Sequence, residues 1–585
     1  MSERDSVLGV GWITDTAIST RFPYYTRANA DEVGPEPFSP LGWSLGWTKG
    51  CVPGVATGFI DFGVLSRDEF ALDPPEVFGN WGGYFYNQLS LPRLMGCRMP
   101  GASPAAIDQA YFGDHPGVPV YEAHPDDDNE EQTAKLAARM SWVMSTDGYP
   151  DQEAAAITAR GAMATRPDLA SISDDALVDR GRAMASILAD VWAPYCQVCL
   201  AASLGPGAVQ AICAALGRPE DAVKVLSGIG GVDSAEASFA MWDLSRVVKS
   251  SPALTTAFDA GVAGVLDRIT AGTDPTAFEK AWDALLTEHG HRGPNEWDMQ
   301  AHSWTTMPDL ALSMIERLRH QADNRSPHTA KTRAIVEQER ISAELLAMLD
   351  NDRETHDTLR AAITSSHLFL ALRERGKSAC IRVIHEAKLA FMELGRRLVE
   401  RGITTNPQDI FLLLDSELDA FLTDPQSFRT RLDERRVQFA ALHDLEPPYI
   451  VKLEDGVPPI PTWTRRGASR SVTAKTGEVL QGGPGAPGTA TGTARVVLDP
   501  SDPSAIEPGD IMIAPTTDPS WTPLFLAVAG VVVNVGAVAS HAAIVCRELG
   551  VPCAVSVVDA TTRIPNGATI TINGATGTVT ILSVA

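Results

Sequence analysis

One histidine, His541, stands where its imidazole could act as a nucleophile. It follows Ser540, after an apolar β-branched run at 530–535 and a turn of small residues. Ser540 suits an N-cap, residues 542–549 favour a helix, and Gly550 suits the position just beyond it. The pattern therefore predicts a strand, a tight turn and a helix that begins at His541.

A histidine at the start of a helix can carry a phosphoryl group. The unpaired N–H groups and the positive end of the helix dipole stabilise negative charge there, and neutral imidazole is a nucleophile. Ala542 and Ala543 leave room for a substrate beside the ring. The alternative, and the usual meaning of an isolated Ser-His pair, is that His541 is only the first residue of a helix.

A second group of polar side chains lies in the segment 288–298, EHGHRGPNEWD. Its glycines and proline predict a turn after a helix that ends near Leu286. Histidine, arginine and glutamate clustered on a turn can supply a general base and an anion clamp, although a hydrogen-bonded interhelical loop is the alternative. The candidates are His291 and then His289 as the base, Arg292 as the clamp, and Glu296 as the residue that orients either one.

Two N-terminal segments, 26–44 and 79–88, embed polar side chains among prolines and aromatic residues. That mixture suits a rigid binding site more than a solvated loop, and a proline-rich surface loop is the alternative. The candidate substrate-binding residues are Arg27, Glu36, Trp43 and Tyr84, together with Arg373 from a later helix.

Three motifs near the C-terminus occur in a family-specific order: GAPGTATGTARV at 485–496, TDPSWTPLF at 517–525 and SHAAIVCRELGVP at 540–552. Together they are similar to the phosphohistidine swivelling domain of the PEP-utilising enzymes, which include pyruvate phosphate dikinase, rifampicin phosphotransferase and the phenylphosphate synthases. The resemblance implies that His541 is the covalent carrier and that Ser540 and Thr517 bind the phosphoryl group. Where the family usually has Gly-Gly and a Thr, this chain has Val535-Gly536 and Ala539, so one phosphate-binding hydroxyl is absent.

Earlier segments resemble the acceptor-binding region of rifampicin phosphotransferase-type proteins. They are the segment from Thr26, the GHRG motif with Glu296, and the helical segments around Arg373–Lys377, Glu393–Arg397 and 407–411. The resemblance implies that Arg292 and Arg27 neutralise the travelling phosphoryl group. By spacing alone, the three helical segments are helix-surface charge pairs and a cap, although Arg373 and Lys377 at i, i+4 could clamp a phosphate.

The chain is long enough for several domains, with 585 residues. We predict a multidomain α+β fold, in which a largely helical acceptor-binding domain precedes a C-terminal swivelling β/β/α phosphohistidine domain. Helical periodicity extends from about Asn129 to Glu446, with Gly376 as a candidate break in a long helix. The predicted parts are a loop-rich N-terminal part at 1–125, helices at 126–446, a linker at 447–475 and the swivelling domain at 476–585.

Composition excludes several classes of partner. A formal net charge of −25 argues against nucleic acid and anionic membranes, and no apolar run is long enough to span a bilayer. The first residues lack a signal-peptide pattern, and eight scattered cysteines indicate a reducing cytoplasm. The lone CxxC, Cys196 and Cys199, predicts a buried thiol pair on a helix, and we predict no metal site.

The sequence contains no GxxxxGK[ST] loop and nothing that resembles an ATP-grasp domain. The resemblance to the split phenylphosphate and 4-methylphenyl phosphate synthases implies a separate ATP-grasp subunit of the PEP/pyruvate-binding type. That subunit would bind Mg-ATP and place the β-phosphoryl on His541. We predict that this chain itself binds no cofactor stably. The domain would then swing on the Thr464–Lys475 linker to a small hydroxyl acceptor such as the phenol 4-cresol. The alternatives are a non-catalytic binding protein with a degenerate phosphohistidine domain, and a carrier phosphorylated from phosphoenolpyruvate.

Overall fold

A computed structural model describes residues 15–69, 71–72, 76–112, 117–272, 276–466, 472–498, 506–518 and 521–584. The chain forms two compact units. Unit 1 contains Met1–Ala201, Trp297–Ala301 and Gly376–Arg470, and unit 2 contains Ala202–Glu296, His302–Arg375 and Ser471–Ala585. The predicted domain boundaries stay predictions, and both the chain start and linker residues 467–471 lie outside the described residues.

Helices dominate the chain up to residue 442. The first set is α1 (Ala30–Val33), α2 (Val52–Phe62), α3 (Ser90–Arg98), α4 (Pro104–Phe112), α5 (Glu130–Val143), α6 (Pro150–Ala164), α7 (Asp174–Ala201), α8 (Leu204–Ala215) and α9 (Ala222–Val225). The second set is α10 (Asp233–Ser250), α11 (Pro252–Asp259), α12 (Val265–Gly272), α13 (Thr276–His289), α14 (Pro308–Arg319), α15 (Pro327–Ala347), α16 (Arg353–Glu400), α17 (Leu418–Thr423) and α18 (Arg429–Leu442). A π-helix covers Gly42–Cys51, and short 3-10 helices cover Leu169–Ser171, Pro219–Asp221, Asp323–Arg325, Pro407–Leu412, Asp415–Glu417, Pro425–Phe428 and Ile460–Thr462.

Local sequence explains where several of these helices begin and continue. Asn129 caps α5, because its side chain accepts the Gln132 N–H at 3.1 Å. The long α16 passes through Gly376 without a break. A Cβ at Gly376 would lie 2.6 Å from the Tyr195 ring, so the glycine serves close packing in unit 1 and does not interrupt the helix.

Unit 1 contains a small antiparallel sheet in the order β2-β3-β1-β5. The strands are β1 (Tyr24–Thr26), β2 (Phe78–Trp81), β3 (Tyr84–Gln88) and β5 (Ile450–Lys452), and a separate pair joins β4 (Leu445–Glu446) to β6 (Thr464–Arg465). Tyr25, Trp81 and Tyr86 pack edge to face on this sheet and are all buried. The segment 79–88 is therefore packed in a buried sheet and is not a solvated loop, and a rigid binding site there stays a prediction.

One apolar stretch, 174–215, is long and apolar enough to cross a membrane by length and composition alone, so the prediction that no apolar run has the necessary length is wrong. Within it, α7 packs along α2 and α6 and buries Leu188 and Val191 in unit 1. Core helices of globular proteins pass the same length test, so the stretch is weak evidence for a membrane span. The cytoplasmic location stays a prediction.

The C-terminal part of unit 2 is built on an eight-stranded sheet in the order β7-β14-β13-β9-β10-β11-β12-β8. Its strands are β7 (Val479–Gln481), β8 (Gly483–Ala486), β9 (Thr489–Val496), β10 (Ile511–Ala514), β11 (Gly530–Val533), β12 (Cys553–Val555), β13 (Thr569–Asn573) and β14 (Thr578–Ser583). The four central strands β9 to β12 run parallel and the outer ones antiparallel. Buried Ile513, Val532 and Ile572 belong to the apolar core of this sheet domain.

Three short helices complete the sheet domain: α19 (Thr522–Phe525), α20 (His541–Leu549) and α21 (Ala560–Arg563). Within unit 2, α10 packs against α19 and α15 packs against α20. The predicted multidomain α+β fold, with mainly helical residues first and a C-terminal sheet domain after them, is confirmed.

Candidate functional site

The strand, turn and helix predicted around His541 are confirmed. β11 ends at Val533 and α20 begins at His541. Ser540 is extended, with φ −70° and ψ 159°, and its Oγ accepts the Ala543 N–H at 3.4 Å. Gly550 ends the helix with a left-handed φ of 67°. The cap and the glycine therefore fix His541 in the first turn of α20.

Two side chains lie close to the imidazole of His541, which is 1% exposed. The Thr522 hydroxyl lies 3.1 Å from Nε2. The Glu374 carboxylate lies on the other side of the ring, with Oε2 3.5 Å from Nδ1. A carboxylate beside Nδ1 favours a proton on that nitrogen, which leaves the Nε2 lone pair as the nucleophile.

Glu374 is itself fixed by neighbours in unit 2. Its Oε2 accepts the Ser234 hydroxyl at 2.6 Å, and its Oε1 accepts from Arg373 Nη1 at 3.1 Å. The Glu374 side chain is 0% exposed, so the interpretation of this segment as helix-surface charge pairs is wrong for Glu374. The structure thereby connects the candidate Arg373 to His541 through one buried carboxylate.

The surface interpretation is correct for the later segments. Arg396 donates to Glu393 at 2.8 Å and also contacts Glu400, with about half of its side chain exposed. Asn406 caps the 3-10 helix at Pro407–Leu412 through a capping box with Asp409. These residues stabilise local structure, as their spacing indicates.

Thr516 and Thr517 follow β10, the strand parallel to and paired with β11. Neighbouring parallel strands end at the same edge of a sheet, and here the Val535 N–H donates to the Pro515 carbonyl at 3.1 Å. Both threonine side chains are buried, and their hydroxyls have no hydrogen-bond partner in the part of the chain that the structure describes. Thr517 as a phosphoryl ligand stays a prediction, and the neighbouring residues 519–520 of its motif lie outside the described residues.

The polar segment at 288–298 starts later than predicted, because α13 continues to His289 and does not end near Leu286. Arg292 Nη1 lies 3.1 Å from Glu296 Oε1, and both side chains are buried. His291 is also buried, at 2% exposure. The Arg292 carbonyl accepts the Trp304 N–H at 2.8 Å, so the segment is also a hydrogen-bonded loop between helices.

This loop lies against the sheet domain within unit 2. The Asn295 N–H donates to Asp518 Oδ2 at 3.1 Å, and Asn295 has a left-handed φ of 52°. Asp518 directly follows Thr517, so the loop with His291, Arg292 and Glu296 adjoins the predicted phosphoryl-binding threonine. The catalytic roles of His289, His291, Arg292 and Glu296 stay predictions.

Gly293 allows this loop to close, and its replacement by alanine is expected to destabilise the protein. A Cβ there would lie 2.1 Å from the His302 carbonyl oxygen and 2.9 Å from Ser303 Cα, so backbone must move. We expect Gly293→Ala to lower the free energy of unfolding by about 2 kcal/mol. Urea denaturation measures this change.

The matched control is Gly207→Ala in α8, where the added Cβ meets nothing within 4 Å. Alanine is the better helix former, so this variant should gain up to about 1 kcal/mol. Equal unfolding free energies for the two variants would contradict the close approach at Gly293.

Three of the predicted substrate-binding residues form one network in unit 1. Arg466 contacts Glu36 Oε1 at 2.5 Å and the Tyr84 hydroxyl at 3.2 Å, and Arg27 lies 5.3 Å from the centre of the Tyr84 ring. Arg27 also donates to the Gly34 carbonyl at 3.0 Å and is 1% exposed. Burial raises the pKa of the Tyr84 hydroxyl, which is therefore a neutral hydrogen-bond donor. These contacts are structural, and substrate binding by the three residues stays a prediction.

Trp43 belongs to a buried aromatic cluster. Its ring stacks on Trp47 at 5.6 Å between centres, with 13° between the planes. Trp47 in turn contacts Trp192 and Trp297, and Lys377 Nζ lies 5.9 Å from the Trp297 ring centre. The cluster is all in unit 1, and the role of Trp43 in substrate binding stays a prediction.

The residues between 15 and 584 that the structure describes contain no group of three metal-ligating side chains. Cys196 and Cys199 both lie on α7, and burial raises the pKa of the Cys196 thiol well above its usual value. A thiol in that environment is protonated and unreactive.

A carboxylate on α20 docks the sheet domain on the helices of unit 2. Glu548 Oε1 accepts the Ile229 N–H at 2.9 Å and Oε2 accepts the Gly230 N–H at 3.0 Å. Arg325 also donates to the Val528 carbonyl at 3.0 Å. Seven residues after His541, Glu548 thus ties the histidine's helix to the loop before α10.

Docking through Glu548 is expected to depend on pH. Burial raises the Glu548 pKa above its model-compound value of 4.5, against the lowering effect of the two backbone N–H groups. The folded state therefore binds a proton that the unfolded chain releases. The unfolding free energy of the native protein, relative to that of Glu548→Gln, should increase as the pH falls from above the raised pKa of Glu548 to about 4.5. Urea denaturation at several pH values tests this, and a difference that does not change with pH would contradict it.

The sequence analysis did not identify Thr522 or Ser234 as site residues, and it did not place Glu374 beside His541. A signal for Glu374 was available, because Leu370 and Ile381, at i−4 and i+7 on α16, are both apolar and buried. Thr522 and Ser234 gave no comparable signal, since isolated hydroxyl residues occur throughout the chain.

Comparison with known proteins identifies two family segments in this chain. Residues 191–374 match the family described as rifampicin phosphotransferase fourth domain, and residues 506–577 match the PEP-utilising enzyme mobile domain. Glu374 closes the first segment and His541 lies in the second. Their contact therefore joins the two family domains.

Several whole proteins are also similar to this chain. A rifampicin phosphotransferase of Streptomyces sviceus is 31% identical over 61% of this chain and 41% of its own length. An uncharacterised protein of Mycobacterium tuberculosis is 28% identical over 98% of this chain and 63% of its own length. A rifampicin phosphotransferase of Bacillus cereus is 26% identical over 52% of this chain and 34% of its own length. The chain thus spans less than two thirds of the length of each of these relatives.

Proposed function

Because the chain is a PEP-utilising family member that resembles rifampicin phosphotransferase, we propose that it passes a phosphoryl group from His541 to a hydroxyl of a small acceptor. The observation that carries the proposal is the buried contact between Nδ1 of His541, in the mobile domain, and the Glu374 carboxylate. A histidine that serves only to begin a helix has no need of a buried carboxylate on the facing domain.

In the first half-reaction, Nε2 attacks the phosphorus of the donor. The Nε2–P bond forms as the donor P–O bond breaks, and the ring becomes cationic. When the mobile domain is docked beside Glu374, that carboxylate stabilises the proton on Nδ1. The Thr522 hydroxyl, 3.1 Å from Nε2, can then donate to a phosphoryl oxygen. Ser540 caps the helix whose N-terminus also favours the negative charge.

In the second half-reaction, the acceptor oxygen attacks phosphorus in line and the Nε2–P bond breaks. Positioning and charge neutralisation contribute most to such transfers. We propose His291, with His289 as the second candidate, as the base for the hydroxyl proton. Arg292 would neutralise the phosphoryl group, and its ion pair with Glu296 supports this role by fixing the guanidinium.

For the donor, we propose ATP bound with Mg²⁺ by a separate ATP-grasp subunit. With transfer of the β-phosphoryl, the overall reaction converts ATP, acceptor and water to AMP, phosphorylated acceptor and phosphate. The resemblance of the three C-terminal motifs to the swivelling domain of the phenylphosphate synthases, which have a separate ATP-binding subunit, supports this arrangement.

For the acceptor, we propose a phenol such as 4-cresol. The Trp and Phe residues between positions 38 and 85 support a flat apolar acceptor, because aromatic rings bind one another in stacked and edge-to-face pairs. Rifampicin is the second candidate, since relatives 31% and 26% identical carry its name.

The test is phosphoryl labelling of the full chain with two donors, β-labelled ATP and phosphoenolpyruvate. ATP is used with and without a candidate ATP-grasp protein, followed by peptide mapping. We expect acid-labile, base-stable label on the peptide containing His541 only when both ATP and the partner are present. The label should then be transferred to 4-cresol or rifampicin. Label from phosphoenolpyruvate instead would support the alternative carrier. No label from either donor would overturn the proposal in favour of a non-catalytic binding protein.

A further inference from the structure

A cavity lies in unit 2, at the end of α20 opposite to His541. Its volume is about 260 Å³. Helical residues Lys224, Arg333 and Glu337 line one side, and Pro487, Arg547 and Gly550 of the sheet domain line the other. Its volume lies just below the range of about 300–1,000 Å³ that is common for ligand pockets, so the cavity suits only a small ligand.

Arg547 gives the cavity its chemical character. The side chain is 1% exposed, and Nη1 donates to the Val538 carbonyl at 2.7 Å. Its Nε and Nη2 have no hydrogen-bond partner among the residues that the structure describes. Two donors of a buried, planar guanidinium are therefore available for an oxyanion, for which arginine is well suited.

The charge balance around the cavity favours an anion. Burial lowers the pKa of Arg547 to about 10, because the charged guanidinium is removed from water. Lys224 contacts Asp221 at 2.7 Å, and Glu337 contacts Arg340 at 2.7 Å, so these two lining groups are each paired. Arg333 is exposed and lines the same cavity. An anion between Arg333 and Arg547 would offset the cost of the buried charge.

We propose that this cavity binds a small phosphate-bearing anion, held by Arg547 from the mobile domain and by Arg333 from α15. Such a ligand contacts both family domains, so it binds more tightly when they are docked. The site is therefore an effector site, separate from His541, at which phosphate or a phosphate monoester stabilises the docked arrangement.

Binding is tested by calorimetry on the full chain with inorganic phosphate and with glycerol phosphate, at constant ionic strength. The two probes distinguish free phosphate from a monoester. We expect Arg333→Gln to weaken binding about tenfold and Arg547→Met to weaken it further, because charge-assisted hydrogen bonds are lost. Arg333 is exposed, so its variant should fold even if Arg547→Met does not.

The matched control is Arg360→Gln, an exposed arginine on α16 outside the cavity, which should bind like the native chain. Hydrogen exchange provides a second readout, because the Ile229 and Gly230 amides are held by Glu548 only in the docked state. The bound anion should slow their exchange in the native chain and not in Arg333→Gln. No binding of either probe, or equal binding by the native chain and Arg333→Gln, would overturn the proposal. These binding measurements contain no phosphoryl donor. Their result therefore does not depend on whether the proposed phosphoryl transfer takes place.

Discussion

His541→Ala should abolish phosphoryl labelling and lower acceptor phosphorylation by at least about 10⁴-fold, because it removes the attacking nitrogen. The Thr522 hydroxyl, 3.1 Å from Nε2, cannot replace it, because a hydroxyl is a far weaker nucleophile at neutral pH. The measurement is label on the intact chain together with product formed per unit time.

His320→Ala is the matched control for this loss. His320 follows α14, and its side chain is 60% exposed and contacts a neighbouring carboxylate, Glu316. It should label like the native chain. His541→Gln tests folding, because glutamine can retain a hydrogen bond to Thr522, and its unfolding free energy should stay close to the native value. Label that persists in His541→Ala would place the carrier elsewhere and overturn the proposed mechanism.

Glu374→Gln should slow phosphotransfer by about 10²- to 10⁴-fold, the range for groups that orient a catalytic histidine. Glutamine has nearly the same size and can still accept from Ser234, so packing is preserved. The negative charge 3.5 Å from Nδ1 is lost, and with it the preference for a proton on that nitrogen. The phosphorylated ring is then protonated on Nδ1 less often and is a poorer leaving group in transfer to the acceptor.

A positioning role for Glu374 predicts a spectroscopic change as well as a kinetic one. Nitrogen NMR of the histidine-labelled chain should show the His541 ring shifting from the Nδ1–H towards the Nε2–H tautomer in Glu374→Gln. Glu374→Asp should restore part of the rate. Glu393→Gln is the matched control, because Glu393 lies on the same helix and also accepts from an arginine. Native rates and an unchanged tautomer in Glu374→Gln would show that another group orients the ring.

The two expected effects concern residues far apart in the chain. Glu374 ends the segment that matches the fourth domain of rifampicin phosphotransferase, and His541 lies in the segment that matches the mobile domain. Loss of either should reduce transfer without unfolding the protein. Anion binding in the cavity should not depend on either residue, because the arginine of the mobile domain that lines it lies at the other end of α20 from His541.

Local sequence determined much of the candidate site. Ser540 and Gly550 fix the ends of α20 through backbone hydrogen bonds and a left-handed φ, both of which depend on residues within one turn. The apolar β-branched run likewise specifies β11. His541 could therefore be placed at the start of a helix from the sequence alone, and the three ordered motifs identified the mobile domain.

Tertiary structure alone decided what faces that histidine. The spacing of the charged residues near 373–377 indicates pairs on a helix face, and the apolar residues beside Glu374 indicate that it is covered. Neither pattern specifies which side chain covers it. Packing in unit 2 covers Glu374 and brings it to a ring 167 positions later in the chain, by the numbers of the two residues. The close backbone approach at Gly293 and the two available donors of Arg547 have the same origin, since both depend on segments that are distant in sequence. Short-range hydrogen bonding is encoded within a few residues, whereas burial and side-chain partners arise only when separate elements pack together.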